Sequence, residues 1–143
     1  MRKKLYFGHP KGTYDTALER MILKRIAEYP DFLEYDVLNP NQPIYSLRAE
    51  GIRYTNPDGS SMGFFRALAR SCQAGIFLIF PDGKWGSGIY DEAEEIFYQA
   101  YPIWSIGYHG DISTINRLNL AWRLSKEETS ARNSGCRKTL AKV

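Results

Sequence analysis

Residues 77–106 read FLIFPDGKWGSGIYDEAEEIFYQAYPIWSI, and this stretch decides the fold. Ile76 to Phe80 is a continuous apolar run of bulky residues, as in a strand buried on both faces. Asp82 to Gly88 then supplies three glycines, an Asp and a Lys, so the backbone there can turn sharply and come close to a ligand. From about Ile89 the period becomes helical. Ala93, Ile96, Phe97 and Ala100 share one face, while Asp91, Glu94 and Glu95 point elsewhere. Pro102 ends the helix, and Ile103 to Ile106 reads as the next strand. Strand, glycine loop, helix and strand form one βαβ unit. Open α/β sheets bind ligands at the carboxyl ends of such strands.

Toward the N-terminus the same alternation repeats. Leu5 to Gly8 is a strand, closed by the turn Gly8-His9-Pro10-Lys11-Gly12. Thr16 and Glu19 have capping-box spacing and open a helix whose predicted buried stripe is Leu18, Met21, Ile22 and Ile26. It stops near Tyr29-Pro30. Phe32 to Leu38 is the second predicted strand, and a right-handed crossover sets it beside the first. Residues 39–60 carry Pro43, Gly51, Pro57 and Asp58-Gly59 and lack clear periodicity. So long an irregular stretch is either partly helical or a flap over the site. Its Tyr45, Arg48, Arg53 and Tyr54 suit stacking on a base and holding a phosphate, or equally a surface or subunit contact. Ser61 to Ser71 reads as a helix with Phe64, Phe65, Leu68 and Cys72 inward.

Toward the C-terminus, Gly107 to Asp111 is a loop, and Ile112 to Leu124 fits a strand or a helix equally well. Ser125 to Glu128 has capping-box spacing and starts a short helix. The expected organisation is one α/β domain over residues 1–132 with a basic, mobile tail over 133–143. The fold class that follows is a single-domain, Rossmann-like or flavodoxin-like α/β sheet, open and mostly parallel, with helices on both faces.

The bulk properties agree with this frame. The 143 residues are 43% hydrophobic and 24% charged, which suits one ordinary globular core. A formal net charge of +3 is too mild to argue for a nucleic-acid polymer as partner. Cys72 and Cys136 are far apart with no metal-ligand spacing, as expected of a reduced, cytoplasmic protein without a metal or other cofactor. No apolar stretch is long enough to cross a bilayer, so no membrane partner is expected, and the N-terminus lacks the apolar core of a signal peptide.

Within the βαβ unit, Glu92 is the leading candidate for chemistry. It follows Gly88 by four residues, which predicts a place in the first helical turn, where free N–H groups and the macrodipole favour an ionised carboxylate. Acidic residues also occupy first turns for stability alone. Tyr6, at the end of the first strand, is placed to orient Glu92 through its hydroxyl, or to pack half-buried. Asp82 is a candidate proton donor to a leaving group, or simply the turn residue of Pro81-Asp82-Gly83. Gly86-Ser87-Gly88 ahead of a helix is a ready anion site, or only the link from strand to helix. Lys84, Lys11 and His9 lie in nearby loops.

Two motifs carry a family resemblance. Gly88, then Glu92, then Pro102 followed by an apolar strand, together with the opening turn Tyr6-Phe7-Gly8-His9-Pro10, resembles the nucleoside 2-deoxyribosyltransferases and their nucleoside 5'-monophosphate N-glycosidase relatives. The likeness spans roughly residues 4–106 in element order. It implies that Glu92 attacks the anomeric carbon of a (deoxy)nucleoside or nucleotide and carries the sugar. Gly8, His9 and Pro10 would line the substrate site with Gly86, Ser87 and Gly88, and a serine near Ser87 would touch a 5'-phosphate. It also implies a homodimer or larger homo-oligomer with shared active sites, completed by segments such as those around Tyr108 and Trp122. Family members usually carry a carboxylate in or after the helix that precedes the third strand. Here that region reads Arg66-Ala67 and Cys72-Gln73-Ala74-Gly75. The expected function is therefore cleavage or exchange of an N-glycosidic bond. The alternatives are a nucleotide or sugar-nucleotide binding module without chemistry and, last, a glutamate-dependent NAD glycohydrolase.

Overall fold

The computed structural model describes residues 2–55 and 62–143, and of residues 52–55 and 62 it describes the backbone alone. Five strands form one sheet: β1 (Lys3–Gly8), β2 (Tyr35–Leu38), β3 (Ala74–Leu78), β4 (Ile103–Ile106) and β5 (Ile112–Ile115). Their spatial order is β2-β1-β3-β4-β5. The first four are parallel, and β5 runs antiparallel to β4. Helices α1 (Ala17–Glu28), α2 (Pro43–Thr55), α3 (Met62–Arg70), α4 (Ser87–Phe97) and α5 (Lys126–Thr139) complete the described secondary structure, apart from short 3-10 turns. This is the Rossmann-like, flavodoxin-like α/β architecture.

The strand period of two sorts the core into two layers. Leu5 and Phe7 of β1, Ile76 and Leu78 of β3 and Ile106 of β4 pack with Ile22 and Ile26 of α1 on one face. Tyr6, Phe77 and Ile103 pack with Ala69 of α3 and Ala93 and Ile96 of α4 on the other. Each such large apolar side chain contributes roughly 1.5–3 kcal/mol when fully buried. Phe77 needs room that only glycine leaves: a Cβ on Gly8 would lie 2.5 Å from its ring. Cys72 is buried here too, and burial pushes its thiol up to about 11, so it acts as a small apolar residue.

Several boundaries differ from the sequence expectation. The second strand starts at Tyr35, because Pro30–Phe32 winds into a 3-10 turn with proline at its start. The third strand sits earlier than 76–80, over Ala74–Leu78, because Phe80 turns to accept Gly83 N–H and to donate to Lys84 O. Met21 is 41% exposed, and Glu19 takes the buried place on α1 instead, held by polar partners described below. Residues 43–55 are helical, with Pro43 in the first turn. Residues 56–61, including Pro57 and Asp58-Gly59, and the side chains of Arg53 and Tyr54 lie outside the described part. The ambiguous 112–124 segment is β5 followed by a 3-10 turn at Leu120–Trp122.

The C-terminal segment expected as a tail is placed against the domain. Ser125 forms the full capping box with Glu128, and the helix it starts runs to Thr139. Asn133 Oδ1 accepts from Gly12 N–H at 3.0 Å, and Ala17 N–H donates to Ala141 O at 2.9 Å. A Cβ on Gly12 would lie 2.6 Å from Asn133 O and 2.8 Å from Cys136 Cβ. Glycine at this position is what allows α5 to approach.

Candidate active site

The chain leaves β1 to one side to form β2 and returns on the other side to form β3, so strand order reverses between β1 and β3. The loops that follow those two strands diverge and leave a crevice at their carboxyl ends. A cavity of about 300 Å³ lies there, at the small end of the range for small-molecule sites. The β1 loop contributes His9, Pro10, Lys11 and Tyr14 to its wall, α3 contributes Phe65, and the start of α4 contributes Gly86 through Ile89.

Tyr6 and Glu92 meet at the floor, where the Tyr6 hydroxyl donates to Glu92 Oε1 at 2.6 Å. Burial and the neighbouring carboxylate push the Tyr6 hydroxyl well above its ordinary range, so it stays protonated and can only donate. Glu92 is not in the first helical turn. The helix begins at Ser87 rather than near Ile89, and the first turn holds no acidic residue. Glu92 therefore stands in the second turn, where the terminal dipole has largely faded. Its surroundings act in the opposite sense to the sequence expectation. Burial raises the Glu92 carboxyl to about 7, against the lowering effects of the Tyr6 hydrogen bond and the Lys11 charge. Oε2 has no hydrogen-bond partner among the described residues and is not sealed from the cavity.

His9 is part of the wall and not a free base. Its Nδ1 faces Phe7 O at 3.1 Å, its Nε2 faces Glu19 Oε2 at 2.7 Å, and its ring stacks on Phe7 with centroids 4.0 Å apart. Asn41 donates to both Glu19 oxygens, and Asp15 N–H donates to Oε1. Burial alone would raise the Glu19 carboxyl, but the hydrogen bonds from His9, Asn41 and the Asp15 backbone together hold it below its ordinary value. Pro10 lines the cavity and its carbonyl fixes Thr13 through both N–H and hydroxyl. Gly8 does not line the cavity; its role is the clearance for Phe77.

Gly86, Ser87 and Gly88 all line the cavity, as the sequence suggests. Gly86 is the N-cap of α4, and Ser87 N–H donates to Thr129 Oγ1 at 3.0 Å. That bond comes from α5, whose Lys126, Thr129, Ser130, Asn133 and Arg137 form the remaining wall. Sequence reasoning missed these residues. Their signal was present, since positions 126, 130, 133 and 137 share one helical face after a capping box. What the sequence did not show was that the face turns back on the site. Neither Tyr108 nor Trp122 lines the cavity. Trp122 stacks on Trp85 and Tyr108 approaches Cys136, both within the same chain.

Asp82 is outside the cavity. Arg132 grips it with two hydrogen bonds of 2.8 and 2.7 Å, and this pairing holds its carboxyl at about 2. An exposed, ionised carboxylate cannot donate a proton to a leaving group, so the candidate role for Asp82 fails on position and on protonation. Among the described residues that line the cavity, Glu92 is the only carboxylate.

The fold and site define an α/β protein with a pocket at its topological switch point, holding one tyrosine-oriented glutamate and a cationic rim. Neither a protein-family model nor a curated protein matches this chain. Among the described residues no cluster of three or more His, Cys, Asp or Glu could hold a metal ion, and no helix is long and apolar enough to cross a membrane.

Proposed function

We propose that the protein cleaves or exchanges the N-glycosidic bond of a nucleoside or nucleoside 5'-monophosphate, with Glu92 as nucleophile. The observation that carries this reading is the Tyr6–Glu92 pair on the floor of the switch-point cavity, with Glu92 Oε2 free. Tyr6 fixes the carboxyl plane, and the free oxygen faces the space where an anomeric carbon would sit. Oε2 bonds to that carbon as the C–N bond breaks, and the bonding pair leaves with the base, which takes a proton from water. Water or a second base then displaces Glu92, as in retaining glycosidases. Burial makes the carboxylate a poorly solvated and therefore more reactive anion.

The test incubates the pure protein with a panel of nucleosides and 5'-monophosphates, with and without a second base, beside Glu92→Ala. Base release by the wild type alone supports hydrolysis, and a requirement for the second base supports transfer. Release that survives in Glu92→Ala sinks the reading. One observation favours a second reading, a binding module without chemistry: no other described carboxylate lines the cavity to assist the leaving base. That reading expects silence across the panel while a nucleotide still raises the melting temperature.

A further inference from the structure

The loop after β1 sets Tyr14 in the cavity wall, and a polar network holds the backbone corner that follows it. Asp15 has a φ of 60°, in the left-handed region that a non-glycine residue enters only at a cost. Such a conformation persists where its surroundings over-determine it, and it is found most often at functional sites. Here Asp15 N–H donates to Glu19 Oε1 at 3.1 Å, and Asn41 Nδ2 donates to Asp15 Oδ1 at 3.1 Å. The Asp15 carbonyl accepts from Val143 N–H at 3.1 Å, and Lys142 Nζ donates to the Tyr14 carbonyl at 3.0 Å. The Tyr14 ring centroid lies 4.7 Å from that of His9, which Phe7 and Glu19 hold in turn. The phenol is therefore fixed in place from both sides of the corner.

Its hydroxyl, by contrast, is uncommitted. Tyr14 lines the cavity, and the hydroxyl is unsealed and has no hydrogen-bond partner among the described residues. Burial first, and then the charge of Glu92, pushes this hydroxyl well above its ordinary range, so it stays protonated and is available as a donor. The Glu92 charge thus reaches Tyr14 although no hydrogen bond joins the two, and open space separates them within one cavity. When a carboxylate attacks an anomeric carbon, the departing group leaves from the opposite face. A phenol across the gap from the nucleophile stands where that group departs.

We infer that Tyr14 is a further catalytic residue, whose hydroxyl donates a hydrogen bond to the departing base while Glu92 attacks the sugar from the other side. The inference rests on the proposed reading of Glu92 as the nucleophile. It supplies what the cavity otherwise lacks, since no second carboxylate among the described residues lines it to assist the base. As the C–N bond breaks, the bonding pair moves onto the base, and the negative charge that builds up there meets the Tyr14 O–H. Tyr14 keeps its proton, and the base takes its own from water. A hydrogen bond to a developing anion is stronger than one to the neutral bound base, and only such a difference speeds the reaction. The His9–Glu19–Asn41–Asp15 network is then the frame that aims the phenol.

The test follows base release by the full chain from substrate pairs that differ only in how readily the base departs. The pairs are uridine with 5-fluorouridine and adenosine with 2-fluoroadenosine, each also as its 2'-deoxy and 5'-monophosphate form. Fluorine draws electrons from the base and lessens its need for a donor. Tyr14→Phe keeps the ring and its contact with His9 and removes the hydroxyl alone. It is expected to lower kcat about ten- to hundredfold on the parent substrate, with a loss at least about threefold smaller on the fluorinated partner. An equal loss on both partners reduces Tyr14 to packing and overturns the assignment, as does no loss at all. Silence of the wild type across every pair overturns it together with the glycosidase reading. The two proposals otherwise fail separately. Release that survives Glu92→Ala, while Tyr14→Phe keeps its leaving-group selectivity, removes Glu92 alone as nucleophile. Release that needs Glu92 but shows equal losses in Tyr14→Phe removes Tyr14 alone.

Discussion

Tyr6 and Glu92 are 86 positions apart in the chain, yet the hydroxyl of one donates to the carboxylate of the other over 2.6 Å. The sheet creates this contact. Tyr6 lies beside Gly75 in the parallel β1–β3 register, and α4 follows β3 back across the same face. The tyrosine is too buried to ionise and the carboxyl is buried enough to resist ionising, so the pair behaves as a fixed donor and a reluctant anion.

Tyr6→Phe removes the bond that helps the carboxyl ionise. The carboxyl should then titrate above its present value of about 7. Base release is expected to fall about ten- to hundredfold, the worth of one hydrogen bond to a charged group. The acid limb of the pH–rate profile should move to higher pH. A slower enzyme with an unmoved limb would reduce Tyr6 to packing.

On the proposed reading, Glu92 links activity and stability with opposite signs. Nucleophilic attack needs the carboxylate, so base release should rise as pH passes through about 7. Stability runs the other way. The folded-state value lies above the ordinary 4.5, so the folded protein holds the proton more tightly than the unfolded chain. The associated stability is full below about 4.5 and is lost as pH rises through about 7, a change of roughly 3 kcal/mol. Glu92→Gln lacks this loss. Its melting temperature should exceed that of the wild type by a margin that grows from about pH 5 to about pH 8, and a margin independent of pH would contradict the burial argument.

Gly12→Ala should detach the α5 wall. Its Cβ would press on Asn133 O and Cys136 Cβ, at an expected cost of about 1–3 kcal/mol. Faster amide exchange across residues 126–139 and weaker ligand binding should accompany the lower melting temperature. Gly51→Ala is the contrast, because nothing among the described residues lies within 4 Å of a Cβ there. In mid-helix it should stabilise by about 0.5–1 kcal/mol.

Asp82→Asn should leave base release within about threefold of the wild type, since the residue lies outside the cavity. The exposed pair with Arg132 is worth under about 1 kcal/mol. A large loss of turnover, measured on protein of unchanged melting temperature, would return Asp82 to the chemistry.

The alternation of strands and helices, the parallel sheet and a ligand site at the carboxyl ends of its strands were all legible in the sequence, whereas the pairing of the first strand with the third was not. Each rests on local signals that tertiary packing did not override: the unbroken apolar run of 76–80, the glycines of 82–88, and the change to helical period after them. The candidate pair Tyr6 and Glu92 was legible for the same reason, since both follow from where strands end and helices begin. Element boundaries moved where proline or a turn competed, as at Pro30–Phe32.

What the sequence by itself determined is the order of elements and which residues stand at the carboxyl edge of the sheet. Tertiary structure alone decided their chemical states. Asp82 became a surface ion pair because Arg132 reached it from α5, and Glu92 became hard to ionise because it is desolvated at the base of the cavity. His9 lost its free nitrogens to Phe7 and Glu19, and the basic C-terminal helix became a wall of the site. The physical reason is common to all four: period and propensity are local, whereas desolvation and charge pairing depend on groups brought together from distant parts of the chain.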